Sequence, residues 1–375
     1  MSKSNLEFSN LIKVRQQKLT ALLSPNQAIL LAKPTDITYF SGFNQFLLPN
    51  EREAILLISQ NQATLLHPHF TMPNDKLSTI EYQLGCHGRF LTEHLTKYCQ
   101  KFQIKELLIE PSAVFVDEYF SIEKINELKI SLFDRQKLVV IRMIKDEYEL
   151  DLIKKAIAIT KKTLNNTLSQ LRLGMSERDV HQLLLETARS LGGNEEAFPG
   201  IVAFGGHSAL PHHQPSGKKL KNNMPVLIDF GVKCGGYCAD MSRTIWFGDQ
   251  PDPKFLQIEQ VVKTAYRKSL ELVRQVGKEQ TLGRKNQTEV KNTESNEPIT
   301  CARVDQLARQ VITSAGFGRY FTHTTGHGLG LDIHEPPSLN GQNPTPLQPN
   351  MVITIEPGIY LPSRFGYRHE NTIIV

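Results

Sequence analysis

The chain contains no apolar run approaching the roughly 18 residues that a membrane helix needs, and its first residues, MSKSNLEF, lack the apolar core of a secretory signal. We therefore expect a cytoplasmic protein without membrane attachment. The cysteines are few, odd in number and scattered, which suits a reducing compartment. They lie at positions 86, 99, 234, 238 and 301. Because no second cysteine pair follows Cys234 and Cys238, a zinc site there is not expected.

Strong charge of one sign is also missing. The formal net charge is +5, and basic residues are interleaved with acidic ones rather than gathered into a stripe, so the sequence does not predict nucleic-acid binding. Hydrophobic residues make up 40% and charged residues 22% of the 375 positions, which is typical of globular protein. This length predicts about two domains.

The first part of the chain has the pattern of an α/β domain. Short apolar runs at 28–32, 54–58, 107–110 and 138–141 predict buried strands, and 90–102 has a helical pattern. We assign residues 1–140 to this domain.

From residue 145 the pattern changes to amphipathic helices. Apolar residues from Ile153 to Leu164 recur at helical spacing. Ser176 begins a second helix as part of a capping box with Asp179, and Gly192 and Gly193 end it. We place a domain boundary near 140–148 and a second domain at 145–375, with a polar surface insertion at about 278–298.

A predicted hairpin carries two aspartates. Strand-like segments surround Asp229 and Asp240, and a tight turn at Cys234-Gly235 would place the two directly opposite each other. Opposed carboxylates repel unless a cation lies between them or one binds a proton. From these residues alone, a metal site and a pair of turn or surface aspartates both remain open.

Three histidines, His323, His327 and His334, occur within twelve residues of a glycine-rich segment. Imidazole suits borderline divalent metals and proton transfer near neutral pH. Two glutamates lie at strand ends, where Glu356 precedes a Pro-Gly turn and Glu370 heads a final apolar strand. Taken singly, each glutamate is more typical of a solvated strand end.

Together, four carboxylates and one imidazole carry four negative charges, which two divalent ions would neutralise. Paired metal sites of this kind activate a bridging water and polarise a carbonyl. Oxygen ligands with one nitrogen suit Mn²⁺, Co²⁺ or Zn²⁺.

These four motifs, in this order, resemble the pita-bread metallopeptidase family, which includes methionine aminopeptidase, aminopeptidase P, prolidase and the metal-free creatinase. The similarity covers most of the chain and is greatest to the Xaa-Pro-cleaving branch. Residues 38–43 resemble the creatinase-type N-terminal domain, and 141–147 resemble the entry to the catalytic domain. The implied fold class is α+β, with a C-terminal pita-bread catalytic domain preceded by a smaller α/β creatinase-type domain.

The resemblance implies a metal-ligand set and a mechanism. Asp240 and Glu370 would bridge two divalent ions, with Mn²⁺ expected and Co²⁺ or Zn²⁺ as alternatives. Asp229 would complete the coordination of one ion, and His327 and Glu356 would complete that of the other. A hydroxide between the metals would attack the scissile carbonyl, and Glu356 would handle its proton.

The resemblance also implies substrate-side groups. His212 would contact the substrate, and His334 would hydrogen-bond it and stabilise the tetrahedral intermediate. His323 would form part of the proline-side pocket, and Arg368 would orient the site through tyrosine or carboxylate partners. The implied substrate is a peptide with a penultimate proline, and the implied assembly is a homodimer.

Some positions depart from the family pattern. Asn371 stands where an aspartate is common, His369 where an aliphatic residue is common, and His213 is unusual. Asn371 is expected to retune the groups around the ligands without removing one.

The expected activity is release of the residue before a penultimate proline, as in an Xaa-Pro aminopeptidase, with an Xaa-Pro dipeptidase (prolidase) as the alternative. A metal-free creatinase-like hydrolase and a non-catalytic binding module both predict lost ligands, and all five ligand positions are filled here. A dinuclear hydrolase of a non-peptide substrate is the remaining alternative.

Overall fold

The computed structural model describes residues 3–45, 54–68, 77, 79–85, 88–276 and 298–375. The chain divides into two compact units, Met1–Arg142 and Met143–Val375. The expected insertion at 278–298 lies outside the described residues except for its last position. In the described part of the chain, no helix is both long and apolar enough to cross a membrane.

A six-stranded mixed sheet is the centre of the first unit. Its strands are β1 (Gln27–Leu31), β2 (Ile55–Ser59), β3 (Ala63–His67), β4 (Ile80–Leu84), β5 (Glu106–Ile109) and β6 (Lys129–Leu132). Their order is β4-β3-β2-β1-β5-β6, with β1 antiparallel to β2 and parallel to β5. Helices in this unit are α1 (Lys3–Thr20), α2 (Pro34–Ser41), α3 (Gly88–Phe102), α4 (Val116–Glu123) and α5 (Arg135–Met143).

Burial of leucines holds this sheet to its helices. Leu57 and Leu107 of the sheet pack with Leu95 of α3 in one cluster that excludes water, and each such side chain contributes about 1.5–3 kcal/mol by its burial. The strands predicted at 28–32, 54–58 and 107–110 and the helix predicted at 90–102 are confirmed.

The strand predicted at 138–141 is wrong, because these residues lie within helix α5. Only one side of this helix is covered: Leu138 and Arg142, four residues apart, are buried, whereas Val140 is 64% exposed. A short apolar run does not distinguish a strand from a helix by its period alone. The one-sided burial of α5 is typical of a helix rather than of a central strand.

The second unit combines helices with several small antiparallel sheets. Its helices are α6 (Glu147–Ser169), α7 (Glu177–Ser190), α8 (Pro253–Val273) and α9 (Cys301–Ser314). Asp146 and Ser176 cap α6 and α7, each in a reciprocal box with the residue three positions on, so the predicted start of α7 is confirmed. Gly192, with φ 88°, ends α7 as predicted.

The described residues of this unit form twelve strands. They are β7 (Glu195–Glu196), β8 (Ile201–Phe204), β9 (Met224–Phe230), β10 (Val232–Cys234), β11 (Tyr237–Cys238), β12 (Met241–Phe247), β13 (Gly326–Gly328), β14 (Glu335–Leu339), β15 (Val352–Ile355), β16 (Gly358–Leu361), β17 (Phe365–Arg368) and β18 (Asn371–Ile374). The sheets have the orders β12-β9-β8, β11-β10-β7, β14-β13-β15-β18 and β16-β17.

Candidate active site

The long hairpin formed by β9 to β12 carries the two aspartates. Strand β9 pairs with β12 so that Asp229 lies opposite Ser242, and not opposite Asp240 as the sequence analysis predicted. The reason is the position of the turn, which is formed by Gly235 (φ 56°) and Gly236 (φ 85°). Two consecutive left-handed residues make the two-residue turn that matches strand twist, and glycine adopts this backbone without strain.

The corrected register still brings the two carboxylates together. Asp240 is two residues from the partner of Asp229, and side chains two residues apart on a strand point to the same face. Both aspartates are buried, line the same cavity, and are within hydrogen-bonding reach of each other.

The other three predicted ligands come from the neighbouring sheet. His327 lies in β13, Glu356 directly follows β15, and Glu370 directly precedes β18. Nε2 of His327 lies 3.4 Å from Oε1 of Glu356 and 3.7 Å from Oδ2 of Asp240. One ligand atom from each of Asp240, His327 and Glu370 lies within 4.8 Å of the others. The structure therefore brings together all five residues predicted as metal ligands.

Glycines allow β13 to lie between its neighbours. A Cβ on Gly326 would lie 2.0 Å from the carbonyl oxygen of Thr354, and one on Gly328 would lie 2.4 Å from that of Pro336. Neither strand can move away without disturbing the sheet, so only glycine fits beside His327.

The tautomer of His327 leaves a lone pair facing the acids. Nδ1 of His327 lies 3.0 Å from the carbonyl oxygen of Gly328, which can only accept a hydrogen bond. A neutral imidazole therefore carries its proton on Nδ1 and has an unprotonated Nε2 toward Asp240 and Glu356. Burial lowers the pKa of His327 and favours this neutral form.

Three of the site carboxylates have an oxygen that no hydrogen-bond donor of the described residues reaches. Oδ1 of Asp229, Oδ1 of Asp240 and Oε1 of Glu370 are buried, and none has a hydrogen-bond partner within the residues that the structure describes. Burial, followed by the charges of neighbouring carboxylates, raises the pKa of both Asp240 and Glu370 well above its usual range. Buried acceptors of this kind, beside an imidazole lone pair, fit divalent cations.

Arg368 holds part of this cluster in place. Its guanidinium is buried and donates to Oδ2 of Asp229 at 2.6 Å, to the hydroxyl of Tyr360 at 2.8 Å and to Oγ of Ser242 at 2.8 Å. The Ser242 hydroxyl in turn donates to Oε2 of Glu370. Arg368 thus orients two carboxylates, one directly and one through a serine.

Tyr360, Ser242 and Thr354 are site residues that the sequence motifs do not predict. Oγ1 of Thr354 accepts from the backbone N–H of His327 at 3.0 Å and donates to Oε1 of Glu356 at 3.1 Å. Both Ser242 and Thr354 stand two residues from a predicted ligand, on the same strand face, so alternation along the strands would have pointed to them. Tyr360 has no such signal.

The three substrate-side histidines also line the cavity. Nδ1 of His323 faces the carbonyl oxygen of Thr324 at 2.7 Å, so a neutral His323 carries its proton there and accepts at Nε2 from the Tyr360 hydroxyl, 2.9 Å away. The ring of His334 packs edge-on against that of His327 at 4.4 Å. Burial lowers the pKa of His323 and of His334, which keeps both rings neutral near pH 7. His212 lies on the same cavity wall.

The cavity has a volume of about 460 Å³, and apolar residues form part of its wall. They are Phe198, Pro199, Ile201, Pro211 and Ile333. An apolar lining combined with a few polar groups is the usual form of a small-molecule or peptide site.

Two departures noted in the sequence lie beside this cluster. The amide of Asn371 accepts from Nη2 of Arg243 at 2.8 Å and donates to the hydroxyl of Tyr266 at 2.7 Å. His369 packs edge-on against Tyr266 at 4.7 Å, and burial lowers its pKa to about 4. Asn371 is linked to Glu370 through Arg243, whose Nη1 donates to the carbonyl oxygen of Glu370 at 2.7 Å.

Comparison with known proteins adds independent findings. Residues 151–375 match the model of metallopeptidase family M24. An uncharacterized peptidase of Staphylococcus saprophyticus is 32% identical, over 96% of each chain. The X-Pro aminopeptidase of Thermotoga maritima is 30% identical with a TM-score of 0.80, over 96% of this chain and 94% of that one. The Xaa-Pro dipeptidase of Bacillus anthracis is 28% identical with a TM-score of 0.83, over 97% and 95%.

These matches extend over both units, and they confirm the predicted fold class, a pita-bread domain preceded by a smaller α/β domain. The chain belongs to metallopeptidase family M24, and it is a metal-dependent exopeptidase.

Proposed function

We propose that the protein is an Xaa-Pro aminopeptidase that holds two divalent metal ions at Asp229, Asp240, His327, Glu356 and Glu370. The observation that carries this proposal is that three buried carboxylates and the partly buried Glu356 line one cavity together with an imidazole whose Nε2 is unprotonated. The ions would polarise the scissile carbonyl and lower the pKa of water between them. We further propose Mn²⁺ as the ion, a homodimer as the assembly and the cytoplasm as the location.

Around this centre the chain supplies the proton transfer. Glu356 takes the proton of the attacking water and passes it to the leaving amine, because its carboxylate lies at the cavity wall and Thr354 fixes its rotamer. The strand end that carries it is rigid, since β15 is paired on both sides. The sheet therefore holds the Glu356 carboxylate at a fixed position, and this position sets the direction in which it transfers the proton.

The histidines bind and orient the peptide. His334 and His212 line the same cavity as the carboxylates, and an imidazole N–H of either can donate to the oxygen of the scissile carbonyl. His323 is fixed by Tyr360 and Thr324 and forms the wall of the proline side. Arg368 acts through Asp229 and Tyr360 as a positioning residue.

Preference for proline follows from the apolar wall. The bond before proline is a tertiary amide without an N–H, so its recognition needs a hydrophobic surface for the ring rather than a hydrogen-bond acceptor. Phe198, Ile201 and Ile333 supply such a surface.

The cavity charge favours an aminopeptidase over a dipeptidase. A dipeptide places its free carboxylate next to the cut bond, and an arginine is the usual partner of a buried carboxylate. Among the described residues of this cavity, Arg368 is the one arginine or lysine, and its nitrogens are already bonded to Asp229, Tyr360, Ser242 and Pro211. The site therefore suits a peptide that continues beyond proline.

An Xaa-Pro dipeptidase is the second candidate. It is favoured by the likeness to the Bacillus anthracis enzyme, whose name describes that activity. A metal-free hydrolase or a non-catalytic module is disfavoured, because no member of the ligand cluster has been replaced.

Cleavage of matched peptides tests the proposal. Protein stripped of metal and resupplied with Mn²⁺, Co²⁺ or Zn²⁺ is incubated with Gly-Pro, Gly-Pro-Ala and the control Gly-Ala-Pro, and products are identified by mass spectrometry. Release of glycine from Gly-Pro-Ala alone is expected. Cleavage of Gly-Pro alone identifies a dipeptidase, and equal cleavage of Gly-Ala-Pro removes proline specificity. Cleavage of none with any ion contradicts the substrate class.

A further inference from the structure

A second cluster of ionisable groups lies outside the catalytic cavity, around Glu177 at the start of α7. The Glu177 side chain is fully buried. Its oxygens accept hydrogen bonds from the backbone N–H of Phe204 at 2.8 Å, the backbone N–H of Ser216 at 2.9 Å and the hydroxyl of Ser216. Burial would raise the pKa of Glu177, but hydrogen bonds from Ser216 and His213 hold it at about 2, so this buried carboxylate is ionised.

Two imidazoles face the same carboxylate. Nδ1 of His207 lies 2.8 Å from one oxygen of Glu177, and Nε2 of His213 lies 2.8 Å from the other. The two rings are 4.2 Å apart and tilted by 40°. One ligand atom from each of the three residues lies within 4.8 Å of the other two.

The charge of Glu177 lacks a permanent counter-ion at contact distance. In the described part of the chain, its only ion-pair partners within 4.0 Å are the two histidines. Lys218 interacts with Glu177 at longer range. A buried carboxylate whose two oxygens each face an imidazole nitrogen offers the ligand atoms that a divalent cation requires.

We propose that Glu177, His207 and His213 form a binding site for a divalent transition-metal ion such as Zn²⁺, separate from the catalytic cluster. Two imidazoles and a carboxylate are a common zinc ligand set, and a water completes four-coordination. On binding, His207 coordinates through Nδ1 and His213 through Nε2. In a neutral ring, the proton moves from the coordinating nitrogen to the other nitrogen, and a protonated ring releases one proton to solvent, so each bound imidazole carries one proton on its non-coordinating nitrogen.

The surroundings already provide what such a site requires. The donors from Phe204 and Ser216 remain bonded to Glu177 and orient it, as outer groups do around metal-ligating carboxylates. His207 is one-third exposed, which gives an ion a path from solvent. His213, which the sequence singled out as unusual, receives a role that the catalytic cavity does not give it.

The site is connected to the catalytic cavity by chain continuity. His213 follows His212, and the carbonyl oxygen of Pro211 accepts from Nη1 of Arg368 at 3.4 Å. An ion that fixes His213 thereby fixes the backbone that carries His212. Occupancy is expected to change KM more than kcat.

Isosteric amides separate coordination from hydrogen bonding. Asparagine places its amide nitrogen where histidine has Nδ1, and glutamine places it near Nε2, so His207→Asn with His213→Gln keeps donors to Glu177 but removes both imidazole ligands. The control is His181→Gln, since Nε2 of His181 lies 3.0 Å from Glu196 in a single histidine–glutamate pair.

Equilibrium dialysis against Zn²⁺, followed by metal analysis, compares the three proteins. We expect wild type and the His181 variant to retain about one equivalent more zinc per chain than the double variant. This difference does not depend on how many ions the catalytic cluster holds, so it stands even if the proposed peptidase activity fails.

Equal zinc content in wild type and double variant overturns the proposal and shows that the three side chains form a hydrogen-bonded cluster that binds no metal. If the double variant does not fold, anomalous scattering at the zinc edge from wild-type crystals decides instead. A peak among the three side chains supports the site, and no peak there overturns it.

Discussion

Nη2 of Arg368 donates a 2.6 Å hydrogen bond to Oδ2 of Asp229, while Oδ1 of the same carboxylate has no hydrogen-bond partner in the described structure. One oxygen of the aspartate is thus fixed by a cation that never deprotonates, and the other remains available to a metal ion. The geometry of this proposed ligand depends on an arginine that touches neither metal nor substrate in the proposed mechanism.

Replacing this guanidinium with an ammonium tests that dependence. Arg368→Lys keeps the charge but cannot reach Asp229, Tyr360 and Ser242 together, so we expect metal affinity and kcat/KM to fall about 10- to 100-fold. Arg364→Lys is the matched control, because Arg364 is half-exposed and pairs with Asp252. Equal effects of the two substitutions would show that Arg368 has no positioning role.

Asp240→Asn tests the proposed ligand set. An amide cannot supply the negative charge that a bridging carboxylate provides, so we expect at least about a 100-fold loss of activity together with lower bound metal. Asp151→Asn, at an exposed position, is the control. Metal analysis and turnover are measured on the same samples, and unchanged values in the Asp240 variant would refute the assignment.

Removal of a single hydroxyl tests the role of Tyr360. Tyr360→Phe leaves Nε2 of His323 without its partner and leaves Nη1 of Arg368 with only the carbonyl oxygen of Pro211 at 3.4 Å, which costs about 1–3 kcal/mol of folding stability. Because His323 loses the partner that orients it, we expect kcat to fall about 10-fold with metal content unchanged. Tyr320→Phe, whose hydroxyl bonds an exposed arginine, should change neither.

The packing of β13 predicts a steric effect. In Gly326→Ala the new methyl group would meet the carbonyl oxygen of Thr354 at 2.0 Å, so β13 must shift away from β15 and carry His327 with it. We expect destabilisation of about 1–3 kcal/mol and weaker metal binding. Gly217→Ala meets nothing within 4 Å and serves as the control in thermal unfolding.

Two carboxylates contribute to the pH dependence of the metal-free protein with a definite sign. Asp240 and Glu370 have folded-state pKa values raised by burial and by neighbouring carboxylates. Between their ordinary pKa near 4 and the raised values, the folded state binds protons that the unfolded state does not. Their contribution to stability therefore falls as pH rises through this window. Buried histidines with lowered pKa values contribute with the opposite sign, and they are His323, His327, His334 and His369.

Comparison with Asp240→Asn isolates the carboxylate contribution, because the histidines are present in both proteins. Between about pH 5.5 and about pH 8, we expect the melting temperature of chelator-treated wild type to fall further, or to rise less, than that of the chelator-treated variant. Glu177 does not obscure the result, because its pKa is lowered to about 2 and its contribution is lost only in more acidic solution. Thermal unfolding of both proteins checks the sign, and an equal or more favourable change in wild type would contradict it.

The sequence predicted which residues lie together at the site better than it predicted their register. The carboxylates and His327 stand in short motifs whose residue types report their chemistry directly. In contrast, the residue that pairs with Asp229 depends on which two residues form the turn. The two adjacent glycines allow more than one position for this turn. Local sequence does not fix which of two neighbouring positions adopts the left-handed backbone.

Residues whose roles depend on tertiary structure could not be found in this way. Tyr360 meets His323 across 37 positions, and Ser242 meets Glu370 across 128. The apolar run at 138–141 failed for a related reason, since its helix or strand state depends on which side the rest of the unit covers. The sequence pattern can indicate a candidate hydrogen-bond donor, but only the folded structure shows which group accepts from it.

The hairpin that turns at Gly235 and Gly236 tolerates changes in its number of residues only in even steps. The predicted strand register was wrong by two residues, and the two aspartates still share a face of the sheet, because side chains alternate with a period of two. An insertion or deletion of one residue between Asp229 and Asp240, if the strands re-paired without a bulge, would send one carboxylate to the opposite side of the sheet. Viable length changes in this hairpin should therefore come in even steps, or be absorbed by a bulge that restores the count.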